Sequence, residues 1–401
     1  MIPMPQVMPD REKLSYVIGS DTIVNAMPYL PARVPFDDLV LDFLQALSEQ
    51  LLRDTARYPD VATFAFWCRR AALEKEKAAY GNRGIRLGRG VIFHSTPSNV
   101  PVNFAFSFVA GLLAGNANII RLPAKAFPQV ECICKVIAAL LRDTFREFVP
   151  YVCMVRYAGS PLLNDWFSAH CDVRIVWGGD DTVTRIRRSP LPPRSTEIPF
   201  ADRVSFLVIQ ADAYLKTPDK RALALHFYND TFLSDQNACT SPFLVVWLGN
   251  QKAQARNIFW HEAREAAALY ALTPVQTVGK LDSLCMVAAQ RHARLEPEQD
   301  WLITRVLVDE LDAGLLDLKY HSGFFFEYEA ERLEAILPLC TRRCQTITYW
   351  GLDKTELENF VTRCRPAGVD RIVPMGHSMD FSLVWDGIDL IDALSRAVTV
   401  S

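Results

Sequence analysis

The chain has 401 residues, half of them hydrophobic and 22% charged, with ten cysteines and a formal net charge of -3. That length exceeds one ordinary hydrophobic core, so two or more domains are expected. The weakly acidic balance gives no electrostatic case for nucleic acid as a partner, and cysteines scattered through apolar surroundings fit reduced thiols better than the disulfide framework of a small secreted domain.

The N-terminal MIPMPQVMPDREKLS has no basic stretch followed by an apolar run, so no signal peptide is expected. The longest apolar run, 104–113, is interrupted by Ser107 and is too short to span a bilayer. A soluble, cytoplasmic protein without a membrane span is the expectation. Residues 37–70 are helical by period, with Leu39, Leu41, Phe43, Leu44, Leu47 and Leu51 recurring near helical spacing. GNRGIRLGRGV follows, a glycine-rich basic connection that precedes its strand and so fails the context of a nucleotide loop.

From there short apolar runs alternate with longer amphipathic ones. Strands are predicted at 90–94, 118–122, 151–156, 173–177 and 205–210, with helices at 101–114, 128–145, 162–169, from about 181, and at 218–232. Proline-rich 190–199 is predicted as a loop. Beyond Cys239 come a strand at 242–247, a long helix at 253–272, and strands at 304–308, 323–328 and 345–349. Strand-helix alternation of this kind marks a parallel α/β sheet, the usual home of a dinucleotide. The break near Leu233 is the expected domain boundary.

Four segments carry candidate chemistry. In LSDQNACTSP, Cys239 lies between a helix and a strand, flanked by small and polar residues, as an accessible thiol nucleophile requires; a packed bystander thiol is the alternative. In HSTPSNVPVNF, Asn99 sits in a polar turn where its amide has the chemistry to donate to an oxyanion or merely to support the turn, with Asn103 its near competitor. In AGNANIIRLPAK, Arg121 ends a strand, Pro123 stops it and Lys125 follows; a cation there suits the ribose or 2′-phosphate of a dinucleotide, or simply solvent. In VRIVWGGDDTV, Gly178 and Gly179 separate a strand from a helix start, where backbone N–H groups can face phosphate, although two acidic residues adjoin them. No metal site is expected, since Cys132 and Cys134 have no second ligand pair near them. His94 reads as a structural imidazole. No G-x-S-x-G elbow or Walker-type loop is present.

In this order the four segments resemble the aldehyde dehydrogenase superfamily, and more closely its acyl-CoA reductase branch, the LuxC family. The similarity runs from about Gly90 to the C-terminus, and GVDRIVPMGHSMDFSLVWDGIDLIDALSR is its longest specific stretch. The resemblance implies an aldehyde-dehydrogenase-like α/β fold with a Rossmann-type dinucleotide-binding domain and an α/β catalytic domain. Residues 1–232 would form the N-terminal region and dinucleotide domain, 233–378 the thiol-bearing domain, and 379–401 a segment returning to the first domain or to an oligomer interface.

It further implies Cys239 as the nucleophile, Asn99 as the oxyanion amide, and Arg121 in the place of the usual lysine at the adenine ribose. NADPH is the implied cofactor, with NADH the alternative. Glu327, in GFFFEYE, would contact the nicotinamide ribose. The superfamily's glutamate-leucine-glycine-glycine pattern is missing; IPFADRVSF occupies that region, and Glu197 is the nearest glutamate for a catalytic role. The implied activity is reduction of an acyl-CoA or other acyl thioester, such as one on a carrier, to the aldehyde. Alternatives are a cysteine-dependent acyltransferase, an aldehyde dehydrogenase running toward acid, and a non-enzymatic scaffold. A homo-oligomer and an acyl-protein synthetase partner are likewise implied by the resemblance alone.

Overall fold

The computed structural model describes residues 9–53, 58–97, 100–268, 270–297 and 300–400. They divide into two compact units, one of residues up to Ala201 together with Phe381 onward, the other Asp202–Asp380.

The first unit holds strands β1 (Ser15–Ile18), β2 (Arg86–Gly88), β3 (Val91–Ser95), β4 (Ala117–Arg121), β5 (Val152–Arg156), β6 (Val173–Trp177) and β7 (Thr196–Phe200). Its helices are α1 (Asp21–Ala26), α2 (Asp38–Leu52), α3 (Pro59–Trp67), α4 (Arg70–Tyr80), α5 (Asn103–Leu113), α6 (Pro128–Asp143), α7 (Pro161–Ala169) and α8 (Asp180–Arg187). The sheet runs β1-β5-β4-β3-β6-β7, parallel except for β1. β3 is buried along its whole length, as a strand with helices on both faces must be; this is why it reads as a continuous apolar run. The chain moves from β3 to β4 and β5 on one side, then returns to β6 and β7 on the other. That reversal makes a topological switch point at the carboxyl ends of β3, β4 and β6, the place where open α/β sheets bind ligands.

Two sequence expectations are corrected in this unit. The helix expected over 37–70 is two, α2 and α3, the second opening with Pro59 at its first turn. Residues 196–199 of the expected proline loop belong to β7, which tolerates Pro199 because it is the sheet's edge. The turn from α5 into β4 is a Schellman cap: Asn116 N–H bonds Gly111 O at 3.1 Å and Gly115 N–H bonds Leu112 O at 2.9 Å. Gly115 has φ +90, and a Cβ there would lie 2.2 Å from Arg33 O, so only glycine fits.

His94 is buried in β3, and desolvation lowers its pKa to about 4. Asn118 spends its amide nitrogen on Asn116 O, so its Oδ1 accepts from the imidazole Nε2–H at 3.0 Å. Ser107 Oγ then donates to Nδ1 at 2.7 Å and accepts from Trp177 Nε1–H at 3.0 Å. Protons therefore bind the unfolded chain before the native one as pH falls from about 6.5 to about 4, and stability drops across that window by about 3 kcal/mol. In a His94→Gln variant this component should vanish, so its melting temperature should fall less steeply than wild type between neutral pH and pH ~4.5. Parallel curves would refute the assignment.

The second unit holds β8 (Val204–Gln210), β9 (Pro242–Leu248), β10 (Ala293–Leu295), β11 (Thr304–Val308), β12 (Phe324–Glu329), β13 (Cys344–Trp350) and β14 (Arg371–Pro374). Helices α9 (Ala211–Lys216), α10 (Lys220–Asp230), α11 (Lys252–Ala266), α12 (Pro274–Gln290) and α13 (Lys354–Cys364) accompany them. The order is β10-β11-β12-β9-β8-β13-β14, parallel except for β10. Alternation along β12 splits the core. Phe324 and Phe326 join one cluster, and Phe325 joins the other beside Phe227, Phe259 and Trp260. Because β8 pairs with β9 and β13, the chain divides at Ala201/Asp202, and the break expected near Leu233 lies inside the second unit.

The C-terminal residues return to the first unit. Phe381 stacks on Phe106 and Trp385, at 4.6 and 5.3 Å between centroids. Helix α14 (Leu390–Leu394) follows, and Ser395–Ala397 pairs antiparallel with β2.

Candidate active site

The nucleophile segment is built by non-local clamps. After α10 and a short 3-10 turn, Asp235 and Gln236 both adopt left-handed backbone, φ 52 and 53. Such a pair costs on the order of 1 kcal/mol per residue and persists only where the surroundings enforce it. Asp235 is held by the Tyr270 hydroxyl and, at 3.0 Å, by the Gln276 amide at the start of α12. Gln236 Oε1 accepts from Gly323 N–H at 2.6 Å, and its Nε2 donates to Pro242 O at 3.1 Å. Gly323 has φ +80, and a Cβ there would meet Leu302 O at 2.4 Å, so this approach also requires glycine. Cys239 follows in a turn, half-buried, at the amino end of β9. Its carbonyl accepts from Ser205 Oγ at 2.7 Å.

This setting differs from that of the core thiols. Burial pushes Cys134 and Cys171 up to about 12 and raises Cys68, Cys153 and Cys344. In Cys344 a hydrogen bond between its thiol and Cys340, which favours the protonated form, contributes most, ahead of burial. Thiols so placed are inert as nucleophiles.

In the first unit the structure brings Arg121 and Gly178 to the same edge of the sheet. Arg121 ends β4 and its carbonyl accepts from Thr96 Oγ1 at 2.6 Å. Its guanidinium lies 4.6 Å from the Tyr157 ring centroid and has no hydrogen bond or ion pair among the described residues. Pro123 is buried just beyond it, and exposed Lys125 lies over Phe127. Gly178 spends its N–H on Phe200 O at 3.1 Å, and Gly179 is the N-cap of α8, whose first turn carries Asp180 and Asp181. The glycine pair is therefore a capped helix start, with the Gly178 N–H already used and two carboxylates where a phosphate would have to sit. Asn99 lies outside the described residues.

Two expected site residues are placed elsewhere. Glu197 pairs with Arg174 near the amino end of β6, about 10 Å along the strands from their carboxyl ends. Its oxygens accept from Arg174 Nε at 2.8 Å and Arg187 Nε at 2.6 Å, so it stands in a two-arginine ion pair. Glu327 is 0% exposed. Arg256, Arg305, Trp247 and Trp260 donate five hydrogen bonds to it at 2.7–3.2 Å. It points to the α11 face of β12, as Phe325 does, and has no surface to offer a ribose. Ser205 and Gln276, which help hold the nucleophile segment, had no signal in the local sequence; Asp235 and Gln236 lay within the LSDQNACTSP motif without a role of their own.

Two largely parallel sheets, with a topological switch point in one and a thiol loop in the other, are what the aldehyde dehydrogenase fold contains. A benzaldehyde dehydrogenase from Corynebacterium glutamicum superposes with a TM-score of 0.63 at 15% identity, covering 97% of this chain and 95% of that one. Lactaldehyde dehydrogenase from Escherichia coli gives 0.65 at 11%, covering 94% and 88%. Within that fold the chain belongs to the acyl-CoA reductase (LuxC) family, whose model matches residues 69–292. The match begins ahead of Gly90 and ends before the closing segment from Gly368. Long-chain acyl-protein thioester reductases from Photorhabdus laumondii and Aliivibrio fischeri are each 22% identical to it, over 78% of this chain. The chain spans 63% and 64% of their lengths. Among the described residues no helix is long and apolar enough to cross a membrane.

Proposed function

We propose that this protein reduces an acyl thioester, from CoA or a protein carrier, to the aldehyde through an acyl-enzyme on Cys239. The carrying observation is the clamped loop that presents a half-buried thiol at the amino end of β9, in a chain of the acyl-CoA reductase family. The Cys239 thiolate adds to the acyl carbon, and the carbonyl electrons move to oxygen. Cys239 N–H and the Asn99 amide are the proposed donors to that oxyanion, each worth about 3 kcal/mol in the transition state. Collapse expels the donor thiolate and leaves the acyl group on Sγ. A bound nicotinamide cofactor supplies the hydride that reduces this thioester. Afterwards the carbon–sulfur bond to Cys239 breaks, which regenerates the thiolate and frees the aldehyde.

The first unit fits a dinucleotide. Its sheet has a topological switch point, and Arg121 offers a guanidinium that has no carboxylate partner among the described residues, matched to a 2′-phosphate. NADPH is therefore the proposed cofactor, with Lys125 beyond Pro123 at the same end. Arg121→Ser should raise the KM for NADPH about 10- to 100-fold and leave that for NADH nearly unchanged. Equal effects on both would remove Arg121 from the 2′-phosphate. The proposed assembly is a homo-oligomer supplied by an acyl-protein synthetase, a reading that rests on the resemblance alone.

The test is NADPH oxidation, followed by absorbance, over a panel of acyl-CoAs, with intact-mass detection of the acyl adduct. Chain-length-dependent oxidation with an adduct on Cys239 supports the proposal. An adduct without oxidation of either nicotinamide would make the protein an acyltransferase, and neither signal would refute the reading.

A further inference from the structure

Two irregularities in the second sheet fall beside the nucleophile. The pairing of β8 with β9 shifts between Ser205 and Leu207, and that of β13 with β8 shifts between Cys344 and Ile347. Bulges of this kind bend a strand, interrupt its ladder and re-aim a side chain, and they concentrate next to active sites. Here the gap is filled by one hydroxyl. Ser205 is 0% exposed, donates to Cys239 O at 2.7 Å and accepts from Thr346 N–H at 3.2 Å. The peptide plane immediately after the nucleophile is thereby tied to β13.

The other side of the loop is tied in the same way. Pro242 has no N–H to give the ladder, and the Gln236 amide bridges the first residues of β9 and β12 instead, through Pro242 O, Phe324 O and Gly323 N–H. Ordinary strand pairing would need neither side chain. Each ties backbone at or within three residues of Cys239 to a neighbouring strand: Ser205 joins Cys239 O to Thr346 N–H, and Gln236 joins Pro242 O to Gly323 N–H and Phe324 O.

We infer that Ser205 and Gln236 are positioning residues for the Cys239 thiol. The inference rests on the reading of Cys239 as the acyl-accepting nucleophile. Without the Ser205 hydroxyl, Cys239 O and Thr346 N–H lose this buried bridge, and the loop is no longer tied to β13 at that point. A displacement of about 1 Å at a reacting atom is enough to cost about 100-fold in rate.

The test compares Ser205→Ala, Ser205→Thr and Gln236→Ala with wild type and with Ser48→Ala. Ser48 is a matched control in the first unit, a buried hydroxyl donating to Ala65 O at 2.6 Å. Two rates are read by intact mass: acylation of Cys239 by hexadecanoyl-CoA, and its alkylation by iodoacetamide across the pH range of thiol ionisation. Ser205→Ala and Gln236→Ala should slow acylation on the order of 10- to 100-fold and displace the alkylation profile, with the KM for NADPH unchanged. Ser205→Thr, which keeps the hydroxyl, should restore most of the rate, and Ser48→Ala should match wild type. Wild-type rates in both folded variants would overturn the inference. Should Ser205→Ala fail to fold, Gln236→Ala decides it. If wild type itself takes no acyl group on Cys239, the reductase reading fails; the alkylation rates then decide the positioning role, and equality with Ser48→Ala overturns it.

Discussion

Replacing Cys239 with alanine is expected to lower acyl-CoA-dependent oxidation of NADPH by about 10^4-fold or more, the usual consequence of removing a covalent nucleophile. The adduct on the protein should disappear with it. The loop itself should survive, because its clamps act on the backbone and on neighbouring side chains: Ser205 on the Cys239 carbonyl, Gln236 on β9 and β12, and Asp235 on Tyr270 and Gln276. Melting temperature should therefore stay close to that of wild type while activity is lost. Cys239→Ser should keep the shape and lose nearly as much, since a hydroxyl is far less nucleophilic than a thiolate near neutral pH. Residual oxidation above about 10% of wild type would assign the acyl group to another residue.

The largest stability loss is expected from Glu327→Gln. This carboxylate stands at the centre of a buried network, with Arg256 bridging it to Glu329 at 2.7 Å and the Trp247 and Trp260 indoles closing on Oε2 at 2.8 and 2.7 Å. Glutamine keeps the volume and one acceptor oxygen. It removes the charge that offsets two guanidiniums, each less than one-tenth exposed. Breaking a buried pair by removing one partner costs about 3–5 kcal/mol, because a buried charge loses its nearest counter-charge. In a unit of this size that lowers the melting temperature by roughly 10 °C. Tryptophan fluorescence is the natural readout, since two indoles donate to the residue being changed. A ribose-binding role for Glu327 would instead give an unchanged melting temperature and a raised KM for the cofactor. That result would restore the role drawn from the resemblance.

Central strands were legible in the sequence because burial on both faces writes itself as a largely apolar run, as in β3, β8 and β9. Edge strands were not. β1, β10 and β14 are short and partly exposed, and β7 carries a proline. Nor was α12 recognised: it buries only Lys280 and Val287, so it has no apolar stripe facing a core to announce it. The Asn99 segment lies outside the described residues, and its role rests on the resemblance.

Composition, the order of strands and helices, and the motif around Cys239 were determined by the sequence alone. So were the α/β class and the cation at Arg121. The tertiary structure decided which sheet each strand joins, and therefore where the units divide. SFLVIQ reads the same whether it closes the first sheet or opens the second, because strand pairing is a contact between distant residues. It also decided that Glu327 faces Arg256, Arg305 and two tryptophans in the core, and that Glu197 lies at the opposite end of its strands from the switch point. The groups that hold Cys239 come from Ser205 on β8, Gly323 before β12 and Gln276 on α12. No local pattern contains them, since the hydrogen bonds that define the site exist only once separate strands and helices have been brought side by side.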